Sequence, residues 1–146
     1  MTLDNLLGMS LEPITPDPLT IARLLEAAKR SINDANITAV SNENRFDAAY
    51  KAIMQMANAA LQANGYRTLS SKPGHHQTMI QALPKTIGLD SETMRVLDAR
   101  RKQRNVTDYS GDLVADSSVN ECIAHAQQLC SQLNCWLERE APHLLT

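Results

Sequence analysis

Apolar residues recur at helical spacing along most of the chain, and this pattern predicts a helical protein. One face of the first periodic stretch carries Ile21, Leu24, Leu25, Ala28 and Ile32. We place this helix between Pro18 and about Asn33. Asp17 has the side chain of an N-cap, and proline is favoured at the first helical position.

The second stretch gives the strongest helical signal. Ser41 is suited to cap its start, and Asn64-Gly65 to end it, because glycine tolerates the left-handed conformation found after helices. The apolar stripe between these signals consists of Phe46, Ala49, Tyr50, Ile53, Met56, Ala57, Ala60 and Leu61. We therefore predict a long amphipathic helix here.

Three further helices are predicted after a turn at residues 72–74. A short one runs from His75 to Leu83 and is stopped by Pro84. A long one begins after a cap at Asp90 or Ser91, reaches Arg104 or slightly beyond, and closes at residues 109–112. The last begins near Ser117 or Ser118 and ends before Pro142. Its apolar face is formed by Val119, Cys122, Ile123, Ala126, Leu129, Cys130, Leu133, Trp136 and Leu137.

These elements predict an all-α fold, an up-and-down bundle of four long helices plus one short helix. No segment has the pattern of a strand. Residues 1–16 are expected to form an irregular lead-in, because prolines between Leu11 and Pro18 disfavour a helix interior. Residues 17–146 are expected to form a single helical-bundle domain.

Composition and charge narrow the protein's class. The chain of 146 residues has 14 Lys and Arg against 16 Asp and Glu, a formal net charge of -2, which excludes a globally basic nucleic-acid binder. No apolar run is long enough to span a membrane, and Met1–Ser10 lacks the basic residues of a secretory signal. Cys122, Cys130 and Cys135 cannot pair with one another within one helix, which suits a reducing compartment. We expect a cytoplasmic protein with no membrane partner.

A basic segment in the fourth predicted helix contains the best candidate site. Five basic residues and one acid lie between Arg95 and Arg104. The helix dipole accounts for Arg100 and Lys102. It does not explain why the face that begins with Met94 and Leu97 becomes polar, with Arg101, Arg104, Asn105 and Asp108. Either these residues bind an anion such as phosphate, or Arg104 forms a structural pair with Asp108 one turn away.

The adjacent residues His75 and His76 form a second candidate site at a predicted helix start. The helix dipole there lowers a histidine pKa, so a neutral imidazole can act as a base or contact a phosphate. Alternatively, one histidine closes the turn while the other packs. Adjacent histidines are expected to point to different sides of a helix, so they do not predict a metal pair.

No metal site or cofactor is predicted. Cys122 and His125 are three residues apart and share a helical face, but no other ligand cluster accompanies them. The thiols are better explained as small buried apolar groups. Glycine-rich phosphate loops and the common catalytic motifs are absent from the sequence.

Several segments together resemble the HEPN superfamily, the higher-eukaryote-and-prokaryote nucleotide-binding domains. They lie at residues 44–50, 60–67, 74–76 and 100–109, and the resemblance is closest to a compact bacterial branch. It implies a helical bundle that acts as a homodimer with a composite site. Many members are metal-independent RNases with an Arg-polar motif followed by His. Bacterial members are often paired with a nucleotidyltransferase partner protein in toxin–antitoxin systems.

The resemblance assigns the arginine position to Arg104, the polar position to Asn105 and the histidine position to Tyr109. Because tyrosine is a poor base at neutral pH, His76 is the candidate substitute. The preferred hypothesis is a module that binds nucleotide or RNA phosphate through Arg101, Arg104, Asn105, Asp108 and His75. The alternatives are an RNase toxin that uses Arg104, Tyr109 and His76, and a purely structural helical protein.

Overall fold

The structure, a computed structural model, describes residues 3–69 and 74–145, and the side chains of all of these except 108 and 109. Its described part is mostly helical, as predicted. The α-helices are α1 (Pro18–Ala35), α2 (Asn42–Ala63), α3 (His75–Gln81), α4 (Leu83–Thr86), α5 (Ser91–Ser110) and α6 (Asp116–Glu140). None of them is both long and apolar enough to cross a membrane.

The residues predicted to cap or end the helices are found at the helix ends. The side chain of Asp17 accepts from the backbone N–H of Leu19, and that of Ser41 accepts from the N–H of Asn44. Gly65 follows α2 with a φ of 90°, a left-handed conformation that glycine adopts without strain. The bounds of the long helices were therefore predicted to within a few residues.

Helix α2 is the centre of the fold. It packs between α1 and α6 and also contacts α3, α4 and α5. Its buried residues include Phe46, Tyr50 and Ile53, as the apolar stripe predicted. One side of α2 thus belongs to the hydrophobic core, while its margins are available to line surface grooves.

The N-terminal segment differs from the prediction. Leu3–Leu6 form a 3₁₀ helix, and a strand β1 (Leu11–Pro13) pairs antiparallel with β2 (Tyr66–Thr68), with Leu11 opposite Thr68. The expectation of an irregular lead-in without strands is therefore wrong. Strands this short carry no measurable alternation, and their partner lies more than fifty residues away along the chain.

Pro84 does not stop a single short helix. The segment predicted as one helix is two, because α3 ends at Gln81 and Pro84 lies in the first turn of α4. A proline is tolerated there, since the first backbone N–H groups of a helix have no intrahelical acceptor. The predicted turn at residues 72–74 lies mostly outside the described residues.

Helix α5 packs less deeply than the other long helices. Leu97 and Asp98 are its buried residues, and none of its described residues from Ala99 onward is buried. Most of its contacts are with α3, α2 and α4, and two of its side chains also bond α6. This arrangement leaves Arg101 and Arg104 at the edges of surface grooves.

Candidate functional site

A groove of about 500 Å³ lies where α2, α3 and α5 approach one another, with one residue of α1 at its margin. It is lined by Leu24, Asp47, Tyr50, Lys51, Met54, Gln55, Asn58, His75, His76, Met79 and Arg104. Three residues predicted from sequence, Arg104, His75 and His76, therefore share one cavity.

Arg104 is held by two residues of α2. Its Nε donates to Oδ1 of Asp47 at 2.9 Å, and its guanidinium carbon lies 5.5 Å from the centre of the Tyr50 ring. The side chain is 32% exposed, so the ion pair is not a buried one. The sequence had suggested Asp108 as the partner, but that side chain lies outside the described ones.

Tyr50 connects Arg104 to His76. Its hydroxyl lies 3.3 Å from Nδ1 of His76. Burial raises the pKa of Tyr50 to about 12, so the hydroxyl keeps its proton at neutral pH. A neutral imidazole and a hydroxyl can each donate or accept, so the direction of this hydrogen bond depends on the tautomer of His76. If Tyr50 donates, the imidazole proton is on Nε2, and if Nδ1 donates, Nε2 carries the free lone pair.

His76 is also kept neutral by its surroundings. Partial burial lowers its pKa below the usual 6.5, with smaller contributions from His75, Arg104 and Arg101. A lowered pKa of His76 was expected from the sequence, but its main cause is burial and not the helix dipole. His75 contacts it edge-on with 4.9 Å between ring centres. The expectation that the two histidines would point to different sides is thus wrong, because both line the same groove.

Arg101 and Asn105 lie around a second, smaller groove. This cavity of about 220 Å³ is lined by Gly74, His75, His76, Gln77, Arg101 and Asn105. Arg101 donates from Nε to Oδ1 of buried Asp98 at 2.8 Å, while Asn105 is exposed. The predicted ligand set therefore divides between two grooves that share the histidine pair. The side chains of Asp108 and Tyr109, which also belong to the predicted set, lie outside the part of the chain that the structure describes.

The polar margin of α2 was missed by sequence reasoning. Asp47, Lys51, Gln55 and Asn58 follow one another at helical spacing and line the larger groove. The signal was present, because these residues form a polar stripe beside the apolar face. Tyr50 was assigned to the core, and it is 2% exposed, but its hydroxyl also serves the groove.

Arg100, which the helix dipole was expected to explain, also joins two helices. Its side chain is 14% exposed and bonds Gln103 and Glu121, which links α5 to α6. Its Nε and the Nδ1 of His125 are buried atoms without a hydrogen-bond partner among the described residues. Burial lowers the pKa of His125, and Arg100 adds to that effect.

The described residues contain no group of three or more His, Cys, Asp and Glu side chains arranged to hold a metal ion. All three thiols are free, with Cys122 buried and Cys135 exposed. Burial raises the pKa of Cys122 to about 12, which disfavours the thiolate that a metal would require.

The arrangement combines a cation, a neutral imidazole fixed by a tyrosine, and an amide-lined margin, which suits recognition of an anionic polar ligand. Comparison with known proteins assigns no family: no family model matches the chain, and no curated protein or solved structure matches it significantly.

Proposed function

We propose that the protein is a HEPN-like helical module that binds the phosphate of a nucleotide or an RNA in the groove of Arg104. One observation carries the proposal: Arg104 and His76 lie in the same groove and are both positioned by Tyr50. A guanidinium supplies charge and several N–H groups, while a neutral imidazole with its proton on the ring nitrogen that faces the ligand supplies one further donor. Together they can hold two oxygens of one phosphate.

The charge of the groove supports an anionic ligand. Arg104 and Lys51 contribute positive charge, and Asp47 is the acidic residue that lines the groove. The planar guanidinium presents five N–H groups, so Arg104 can serve the Asp47 carboxylate and a phosphate at once. Binding in a half-exposed groove is expected to weaken as salt concentration rises.

A metal-independent RNase is the second candidate. The observation in its favour is that His76, a histidine outside the Arg-Asn motif, lines the groove of Arg104 and is neutral at physiological pH. The tautomer of His76 matters here: Nε2 carries the proton if Tyr50 donates to Nδ1, and it is an available base if Nδ1 donates to Tyr50. Binding without cleavage is preferred because Tyr109 stands where the resemblance places the usual histidine.

Two remaining parts of the proposal, the homodimer and the pairing with a nucleotidyltransferase in a toxin–antitoxin system, come from the resemblance to the HEPN superfamily. The cytoplasmic location rests on the three cysteines, which cannot pair with one another within one helix. Each has its own direct test: sedimentation for the dimer, localisation for the compartment, and co-purification for the partner.

Binding of mononucleotides and short RNAs to the full chain tests the function. We expect Arg104→Ala to abolish binding, and Arg139→Ala to leave it unchanged, because Arg139 is an exposed residue of α6 outside the groove. Equal affinity of both variants and the native protein would contradict the proposal.

A metal-free cleavage assay separates the two candidates. We expect no cleavage by the native protein and none by Arg104→Ala. Cleavage by the native protein that is lost in both Arg104→Ala and His76→Asn would establish the RNase instead. Activity gained by Tyr109→His would indicate that the site retains the geometry for cleavage and is used for binding.

A further inference from the structure

A further polar groove adjoins the groove of Arg104 on the α1 side of α2. This α1–α2 groove has a volume of about 370 Å³. Lys51 and Gln55 line both grooves, so the two meet at these residues. The α1–α2 groove adds Arg30, an exposed cation that does not line the groove of Arg104. The two grooves together therefore form one surface channel that extends from α5 across the margin of α2 to α1.

Arg104 and Lys51 mark successive levels of this channel along α2. Nε of Arg104 donates to Oδ1 of Asp47, and Lys51 follows Asp47 by four residues, which is about 6 Å along an α-helix. Lys51 is exposed and forms no ion pair with a described residue. Its ammonium group is therefore available to an anion that extends beyond the phosphate site.

Arg30 lies at a third level. Oγ of Ser31 donates to Oε1 of Gln55 at 3.0 Å, so the part of α1 that carries Arg30 is held beside the residue one turn after Lys51. Gln55 is eight residues beyond Asp47, or about 12 Å along α2. Arg30 is exposed and has no ion-pair partner in the described part of the chain. A single phosphate group is too small to contact cations at both ends of this span, whereas a chain of phosphates can do so.

The channel also contains acidic and apolar groups. Asp34 lines the α1–α2 groove and Asp47 the groove of Arg104, so the lining has three cations and two carboxylates. Apolar contacts beside the phosphate site come from Leu24, Met54 and Met79. Unpaired bases can contact such side chains, whereas the bases of a duplex are stacked and paired with one another. Spaced cations next to apolar contacts therefore favour a single strand of nucleic acid over a duplex or an acidic peptide.

We infer that the ligand is a single strand of at least three nucleotides, whose phosphates are bound by Arg104, Lys51 and Arg30, and not a free mononucleotide. The inference rests on the proposed phosphate site and adds the α1–α2 groove and the length of the ligand to it. Positively charged grooves that follow the backbone are a usual means of binding single strands. These contacts select no base, because every nucleotide carries the same phosphate.

A length series on the native chain tests the inference without any substitution. Calorimetry compares uridine 5′-monophosphate with 5′-phosphorylated uridine oligonucleotides of two, three, four and eight residues. We expect affinity to rise about tenfold from the monophosphate to the trinucleotide, as two further exposed ion pairs allow. Longer strands should add little, because the three cations are then already occupied.

Salt dependence and one substitution locate the added contacts. Each phosphate of a single strand that is neutralised contributes about −0.7 to the slope of log K against log salt, so we expect a slope of about −2 for the trinucleotide. Arg30→Ala should make this slope shallower by about 0.7 and reduce the advantage of the trinucleotide over the monophosphate severalfold. Arg23→Ala is the matched control, because Arg23 is an exposed residue of α1 that lines neither groove. An unchanged slope and advantage in Arg30→Ala would overturn the inference.

The outcomes separate this inference from the proposed function. Equal affinity for the monophosphate and the trinucleotide, lost in Arg104→Ala, would overturn the extended channel and leave the phosphate site standing. If no phosphate compound binds, both proposals are wrong. Tighter binding of a duplex or of a glutamate oligomer than of the trinucleotide would also overturn the inference. RNA and DNA strands of one sequence distinguish the two sources of such a ligand, and length-dependent binding of either supports it.

Discussion

The Nε of Arg104 lies 2.9 Å from Oδ1 of Asp47, so the candidate phosphate ligand of α5 is already paired with a carboxylate of α2. Any anion that enters the groove shares the guanidinium with this carboxylate and is repelled by it. Asp47 is therefore placed to moderate binding, and removing its charge is an informative change.

We predict that Asp47→Asn tightens phosphate binding severalfold. The substitution keeps the shape of the side chain and removes one negative charge beside Arg104. Because the pair is half-exposed, with 32% and 49% side-chain exposure, the free energy of unfolding should change by no more than about 1 kcal/mol. Glu138→Gln on α6 makes the same charge change away from the groove and should leave affinity unaltered. Weaker binding by Asp47→Asn would show that the carboxylate helps to hold the ligand or the arginine.

We predict that the two arginines differ in their effect on stability. Arg100→Leu should lower the free energy of unfolding by about 1.5–3 kcal/mol, because it removes hydrogen bonds from a mostly buried guanidinium between α5 and α6. Arg104→Leu should cost about 1 kcal/mol or less. Urea unfolding of both variants measures the difference. The reverse order would favour the purely structural hypothesis for Arg104.

We predict that stability declines as pH falls below about 6.5. His76 and His125 both have pKa values lowered from 6.5 by burial, so the unfolded chain takes up protons there before the folded chain does. Their contribution to stability is complete above that pH and is lost progressively below it. Urea midpoints between pH 7.5 and 5 provide the measurement.

The matched variants for the pH prediction are His125→Leu and His143→Leu. The first should make the pH dependence shallower, because it removes one of the two histidines whose pKa values are lowered by burial. The second is the control, because it removes an exposed histidine at the C-terminal end of the chain by the same substitution. An unchanged profile in His125→Leu would assign the effect to other groups.

We predict that Leu11→Ala destabilises the protein by about 2–5 kcal/mol, the usual cost of truncating a fully buried leucine. Leu11 is inaccessible to solvent and lies in β1, which pairs with the strand β2 that follows α2. Leu7→Ala is the control, because Leu7 is 37% exposed and its loss should cost much less. Thermal unfolding of the two variants tests the difference. Similar melting temperatures would mean that β1 contributes little to the folded state.

The long helices could be predicted because their signals are local. Asp17 and Ser41 cap helices through residues two or three positions away, and the stripe of α2 repeats over its whole length. The β1–β2 ladder could not be predicted in the same way. It joins two three-residue strands from distant parts of the sequence, and its pairing depends on how α2 returns the chain to the N-terminal segment.

The candidate site was predicted only in part. Arg104 and the histidines stood out because they break the apolar pattern or cluster next to each other. Asp47 and Lys51 did not stand out, because polar residues beside an apolar stripe are the usual pattern of an amphipathic helix, and Tyr50 was placed in the apolar stripe itself. Their role depends on where α3 and α5 cross α2, which the spacing of residues within one helix does not encode.

The uneven burial of the groove's two walls has a consequence for how a ligand would change the molecule. Helix α2 is anchored by core residues along its whole length, whereas the described residues of α5 beyond Asp98 are at least partly accessible. Amide hydrogens in the second half of α5 should therefore exchange with solvent through local opening long before those of α2. A ligand that bridges Arg104 to the α2 side would close this opening. The largest slowing of exchange on binding would then appear in α5 and not in the helix that supplies most of the contacts.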